Sequence, residues 1–148
     1  MASAPASQTG SFHLDAPPAR VFPLFTAVGE RRWAPGWDPE MLSGDVERGS
    51  AFRTRAHDRE TVWIVTDYRA DARRVSYARL AAGVNMGLVD VACDAEGAGT
   101  RVTVRYTLTP LSRDGEHSVR ELLAPEHYAR FMREWQESIG KALADTPP

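Results

Sequence analysis

Residues 125–144 read PEHYARFMREWQESIGKALA and form the longest periodic run of the chain. The apolar members are Tyr128, Phe131, Met132, Trp135, Ile139, Ala142 and Leu143. Gaps of three and four place them on one face of an α-helix. Glu126, Arg130, Arg133, Glu137 and Lys141 fall on the other face, which suits water. Pro125 is tolerated in a first helical turn, and Glu126 beside it favours the positive end of the helix dipole. Five large side chains buried at roughly 1.5–3 kcal/mol each stabilise by on the order of 10 kcal/mol gross. A helix of this kind needs a broad apolar surface to lie on.

The residues before it supply one. Arg101 to Thr109 alternates without a break, with Val102, Val104, Tyr106 and Leu108 on one side. That is a strand, and Pro110 stops it. Upstream, Val84, Met86 and Leu88 share one side, then Val89, Val91 and Cys93 the other, which predicts a bulge near Gly87. Arg74 to Leu80 places Val75, Tyr77 and Arg79 on one side. Glu60 to Tyr68 is rich in β-branched and aromatic residues, though the run Val62 to Val65 leaves its phase open. Ala51 to Ala56 carries Phe52, Thr54 and Ala56 on one side, and His57-Asp58-Arg59 reads as a hairpin loop. Val46 to Arg48 is expected as a further short strand. At the start, Phe12 and Leu14 alternate in a short strand from Ser11. Asp15 is an N-cap candidate ahead of Pro17 and Pro18. Val21, Leu24, Phe25 and Val28 have helical spacing, with Pro23 dividing the segment and Gly29 ending it. His117 to Leu123 reads as a short helix. The order is one strand, a broken helix, about six strands at hairpin spacing and one long helix. This is α+β, with a curved antiparallel sheet whose concave side the last helix covers. A gap between sheet and helix is a cavity.

The chain has 148 residues and a formal charge of −2, which fits one domain and points to no nucleic-acid partner. No run is long and apolar enough to span a membrane. A single cysteine, Cys93, excludes an internal disulfide and fits a reducing compartment. MASAPASQTG lacks a basic start and an apolar middle, so residues 1–10 read as a disordered tail and a cytoplasmic protein is expected.

The order of elements, with several local words, resembles the helix-grip fold of the START-like (SRPBCC) superfamily. The words are Phe12-His13-Leu14-Asp15-Ala16-Pro17 with Val21-Phe22, Arg32-Trp33-Ala34-Pro35-Gly36-Trp37, Thr61-Val62-Trp63, Gly99-Thr100-Arg101-Val102, Tyr106-Thr107-Leu108-Thr109-Pro110-Leu111-Ser112 and Glu134-Trp135. The resemblance spans Phe12 to Leu143 and makes 11–146 the expected domain. It implies binding of an apolar or amphipathic molecule, lipid-like or polyketide-like, between sheet and helix. A polyketide-cyclase-like enzyme and an Hsp90-activator-like protein-binding module are the alternatives on the same scaffold.

The residues expected to face a ligand are Trp33, Trp37, Phe52, Trp63, Tyr77, Arg79, Met86, Tyr106, Tyr128, Met132 and Trp135. The tryptophans around Pro35-Gly36 either close a cavity mouth or anchor a loop. The tyrosines and Trp135 join an aromatic body to a polar tip, as in an apolar pocket with few polar groups. An inward Arg79 needs a partner, either Asp90 or an anionic or carbonyl group of a ligand. The four histidines have no metal-ligand spacing, so neither metal nor cofactor is expected. Cys93 lacks an activating neighbour and reads as an inert thiol. A homodimer is compatible with the chain.

Overall fold

A computed structural model describes residues 5–145. Seven strands among them form one antiparallel sheet in the order β1-β7-β6-β5-β4-β3-β2. They are β1 (Ala6–Leu14), β2 (Glu40–Ser43), β3 (Ala51–Ala56), β4 (Arg59–Arg69), β5 (Arg74–Ala81), β6 (Asn85–Glu96) and β7 (Gly99–Pro110). Helix α1 (Pro18–Val21) leads into two 3₁₀ turns, Phe22–Phe25 and Gly29–Arg32. Helices α2 (Arg113–Leu122) and α3 (Pro125–Asp145) close the order. This is the helix-grip arrangement.

The long helix forms as its periodicity requires. Tyr128, Met132, Ile139 and Ala142 are buried, and Phe131, Trp135 and Leu143 pack against the same core. Ser112 caps α2 by accepting a hydrogen bond from the Gly115 amide at 3.0 Å. The β3–β4 turn is carried by His57 and Asp58, at φ 52° and 62°. Positive φ at both central residues matches the twist of a two-residue hairpin.

Several expectations need correction. The tail over 1–10 does not hold for Ala6 to Gly10, which pair with β7 in unbroken register from Ala6 opposite Leu108. Residues 1–4 of that expected tail lie outside the described residues. Gly10 belongs in the strand because a Cβ there would stand 2.7 Å from Met132 Cγ. Asp15 does not cap α1, whose N-cap is Pro17. It pairs instead with His13 at 3.1 Å. Gly29 opens the second 3₁₀ turn, and the early short strand is Glu40–Ser43 rather than Val46 to Arg48.

The bulge expected near Gly87 is absent. Residues of β6 pair continuously with both β5 and β7. Asn85, Val89, Val91 and Cys93 are buried on one face, and Met86 and Leu88 are exposed on the other. Gly87 is needed because a Cβ would meet the Thr107 carbonyl. A register shift lies instead in β4, between Val65 and Asp67. It lets Val65 point inward while Tyr68 reaches Phe22, with ring centroids 5.6 Å apart.

Candidate functional site

Helix α3 does not lie centrally on the sheet. Of the strands, it sits closest to β1 at the edge. On that side Tyr128 and Met132 pack over Gly10, and the Tyr128 hydroxyl donates to the Val104 carbonyl at 2.7 Å. Gln136 donates to the His13 carbonyl at 2.9 Å. The other flank of the same stripe, Phe131 and Trp135, faces β3 to β7 across a cavity of about 290 Å³. That is the small end of the range for ligand pockets, roughly 300–1,000 Å³.

Aromatic rings build most of its wall. All four tryptophans of the chain line it, namely Trp33, Trp37, Trp63 and Trp135. Phe52 stacks on Trp63 at 5.8 Å and 4° between planes. Most other ring pairs meet edge to face, such as Trp33 with Trp135 at 5.1 Å and Trp37 with Trp63 at 5.7 Å. Edge-to-face contact is a favoured geometry that keeps planar rings from collapsing onto one another. Val89 and Val91 from β6, with Phe25, Ala34 and Leu122, complete the apolar lining.

Hydrogen bonds fix these rings in orientation. The end of the first 3₁₀ turn and the residues just after it present three carbonyls to these rings. Trp33 Nε1 donates to Leu24 at 2.7 Å, Tyr77 Oη to Phe25 at 2.6 Å and Trp37 Nε1 to Ala27 at 2.7 Å. Trp63 Nε1 donates to Thr54 Oγ1 at 3.0 Å. Buried polar tips that find protein partners hold their rings in place. These four tips are committed to the wall and are not offered to a ligand.

Besides the Trp135 indole N–H, three polar groups remain on the lining: Glu30, Arg79 and Tyr106. Arg79 lies on the inward side of β5, above the Trp63 ring at 5.1 Å from its centroid. Its Nη1 donates to Asn85 Oδ1 at 2.9 Å, while its Nε is buried without a partner. Asp90 is not that partner. It faces the other side of the sheet and accepts from Ser76 Oγ at 2.6 Å. Burial pulls the Arg79 pKa below the usual guanidinium range. A guanidinium nevertheless stays charged. Burial holds the Glu30 carboxyl well above the usual carboxylate range. The Tyr106 hydroxyl is raised by burial, with Arg79 acting to lower it and Glu30 to raise it. Its phenol thus feels both Arg79 and Glu30.

The site gathers Trp33, Trp37, Phe52, Trp63, Tyr77, Arg79, Tyr106 and Trp135 of the expected set. Met86 is not among them, since it is 48% exposed on the outer face. Tyr128 and Met132 belong to the packed flank of α3 and line a separate surface groove with Gly10 and Phe12. Sequence reading missed Phe25, Glu30, Ala34, Val89, Val91, Leu122 and Phe131 as wall members. Glu30 had no local signal, because a lone carboxylate in a four-residue 3₁₀ turn makes no periodic pattern. Cys93 is buried, its thiol pushed up to about 12 by desolvation, which suits an inert core residue. Among the described residues no three His, Cys, Asp or Glu gather to hold a metal ion. No described helix is long and apolar enough to cross a membrane.

The outer face of the sheet carries its own apolar cluster. Ile64, Leu80, Met86 and Leu88 are each about two-fifths to one-half exposed. Register sets Leu80 beside Met86, and Ala78 between Ile64 and Leu88.

Comparison with known proteins places this architecture. No curated protein sequence matches the chain. Among solved structures, an uncharacterized protein from Rhizobium leguminosarum superposes with a TM-score of 0.72 at 19% identity, covering 99% of both chains. The major latex-like protein 151 from Panax ginseng gives 0.70 at 12% identity, over 94% of this chain and 97% of that one. Ara h 8.0201 gives 0.69 at 12% identity, over 95% of this chain and 99% of its own. At these identities the likeness is one of fold. The sequence itself matches a family profile over residues 5–139, and the chain belongs to that START-like family, polyketide cyclase / dehydrase and lipid transport.

Proposed function

We propose that the protein binds a compact apolar or amphipathic molecule between α3 and the sheet. The observation that carries this reading is the aromatic cavity of about 290 Å³, whose rings are held open by committed hydrogen bonds. A core meant only for stability closes such space, because interiors pack at crystal density and voids are costly. The volume suits a molecule of one to three fused rings better than a diacyl lipid. The family description, which joins polyketide cyclase and lipid transport, supports a hydrophobic ligand without naming one. The site residues in this reading are Trp33, Trp37, Phe52, Trp63, Tyr77, Arg79, Tyr106 and Trp135. Native mass spectrometry of freshly purified protein, with organic extraction, tests it. An apolar molecule released in about equimolar amount is the expected result. Bare protein whose tryptophan emission ignores a panel of one- to three-ring compounds would refute it.

A second reading, a polyketide-cyclase-like enzyme, is favoured by one specific observation. Glu30, Tyr106 and Arg79 share the lining, so a carboxylic acid, a phenol and a fixed cation face one space. A cation polarises a carbonyl and steadies a developing enolate, while a neutral acid supplies a proton. Glu30→Gln abolishing any turnover found, with ligand affinity retained, is the expected outcome of that reading. Turnover unchanged in Glu30→Gln and in Arg79→Met would remove it. The protein-binding alternative rests on the outer cluster of Ile64, Leu80, Met86 and Leu88, and nothing on that face identifies a partner.

A further inference from the structure

We infer that the cavity takes its ligand as a monoanion, a compact aromatic carboxylate whose charged end meets the Arg79 guanidinium. The inference rests on the cavity reading above and follows from its charge balance. The ionisable groups of the lining are Glu30 from the second 3₁₀ turn, Tyr77 and Arg79 from β5, and Tyr106 from β7. Strands β3, β4 and β6, and helices α2 and α3, contribute only apolar or indole side chains there. Tyr77 spends its hydroxyl on the Phe25 carbonyl. Arg79 makes no ion pair, and neither does Glu30, among the described residues.

Two unpaired groups in an apolar hollow relax differently. A carboxyl can shed its charge by keeping a proton, and burial pushes Glu30 that way. A guanidinium has no such escape. The hollow is therefore left with one uncompensated positive charge. A single negative charge balances it, whereas a dianion would overshoot.

The fork geometry points the same way. Asn85 occupies Nη1, and Nε is buried with no hydrogen-bond partner, so the protein satisfies the guanidinium only in part. A planar carboxylate matches a guanidinium in charge and in plane. The Trp63 ring beneath the guanidinium, with Phe52 stacked on it, makes the surroundings of the charge aromatic. Glu30 then acts as a regulator. When it ionises at higher pH, it puts a like charge in the space that the anion enters.

The test is isothermal calorimetry with 2-naphthoate and its neutral isostere 2-naphthamide, alongside tryptophan emission. The wild type should prefer the acid by roughly tenfold or more, the scale of a charge-assisted hydrogen bond. Arg79→Met should erase that preference while still binding the amide, which also reports that the variant is folded. In the wild type, affinity for the acid should fall toward alkaline pH, and Glu30→Gln should remove that fall. If the amide binds as tightly as the acid, or Arg79→Met keeps the preference, the anion inference is overturned and the cavity reading stands. If neither compound binds, both are overturned.

Discussion

The two flanks of α3 use similar side chains for opposite ends. On the β1 flank, Tyr128 is 2% exposed and its hydroxyl is tied to Val104. On the far flank, Tyr106 keeps its hydroxyl for an open space that Phe131 and Trp135 overhang. Aromatic residues on a helix stripe therefore do not by themselves say whether an interior is solid or hollow. Backbone distance decides it. Gly10 lets β1 come close under Met132 and Tyr128. Toward β3–β5, rings must bridge a wider gap, and their edge-to-face packing leaves part of it unfilled.

Substitutions sharpen this contrast, and the packed flank should be the more sensitive. Ile139 is fully buried. Ile139→Ala should cost about 2–5 kcal/mol in urea unfolding, through lost transfer energy and a new cavity. Gly10→Val should be similarly damaging, because its side chain would collide with Met132 and Tyr128. On the hollow flank, Phe131→Leu should cost about 1.5 kcal/mol or less, since it only widens an existing void. The same change should admit larger ring systems, read by calorimetry. Equal losses on both flanks would break the distinction.

Next in size is the pH effect of Glu30. Its folded pKa lies above its unfolded value, so the native state holds a proton that the unfolded chain releases. Stability should therefore fall as pH rises from the unfolded carboxylate value, about 4.3, up to the folded pKa, and then level off. Glu30→Gln should flatten that slope and leave the protein more stable at neutral pH. A wild type and a variant with parallel pH–stability curves would show that Glu30 is solvated rather than enclosed.

The smallest effect is expected on the outer face. Met86→Ser and Leu88→Ser should each shift stability by no more than about 0.5 kcal/mol, as surface changes usually do. Val91→Ser, one strand-face away, should be clearly worse because Val91 is 4% exposed in the core.

The β6 contrast also marks where the sequence was legible and where it was not. Helix α3, strand β7 and the turn at His57-Asp58 follow from local patterns that burial and backbone geometry enforce. In β6, apolar residues occur on both sides of the strand, so hydrophobicity alone could not separate Val89 from Leu88. The outer cluster imitates a core side, and a phase slip was the consistent but incorrect resolution. Strand β1 hid its first half for the opposite reason. Ser7, Gln8, Thr9 and Gly10 are polar or small because an edge strand pairs through its backbone, and Gly10 must be small for α3 to approach. The aromatic members of the cavity were legible because large rings on inward strand positions are few. Glu30 was not, since a single carboxylate in a short irregular segment gives no pattern until the fold brings it to Tyr77 and Tyr106.

The most direct test of the central claim is a crystal structure of the protein with 6-bromo-2-naphthoate, located by bromine anomalous scattering. One bromine site between α3 and the sheet, with the carboxylate on Arg79 and the rings among Trp33, Trp63 and Trp135, is the predicted result. Bromine found only on the outer surface, with the aromatic side chains closed over the space beneath Phe131 and Trp135, would contradict it.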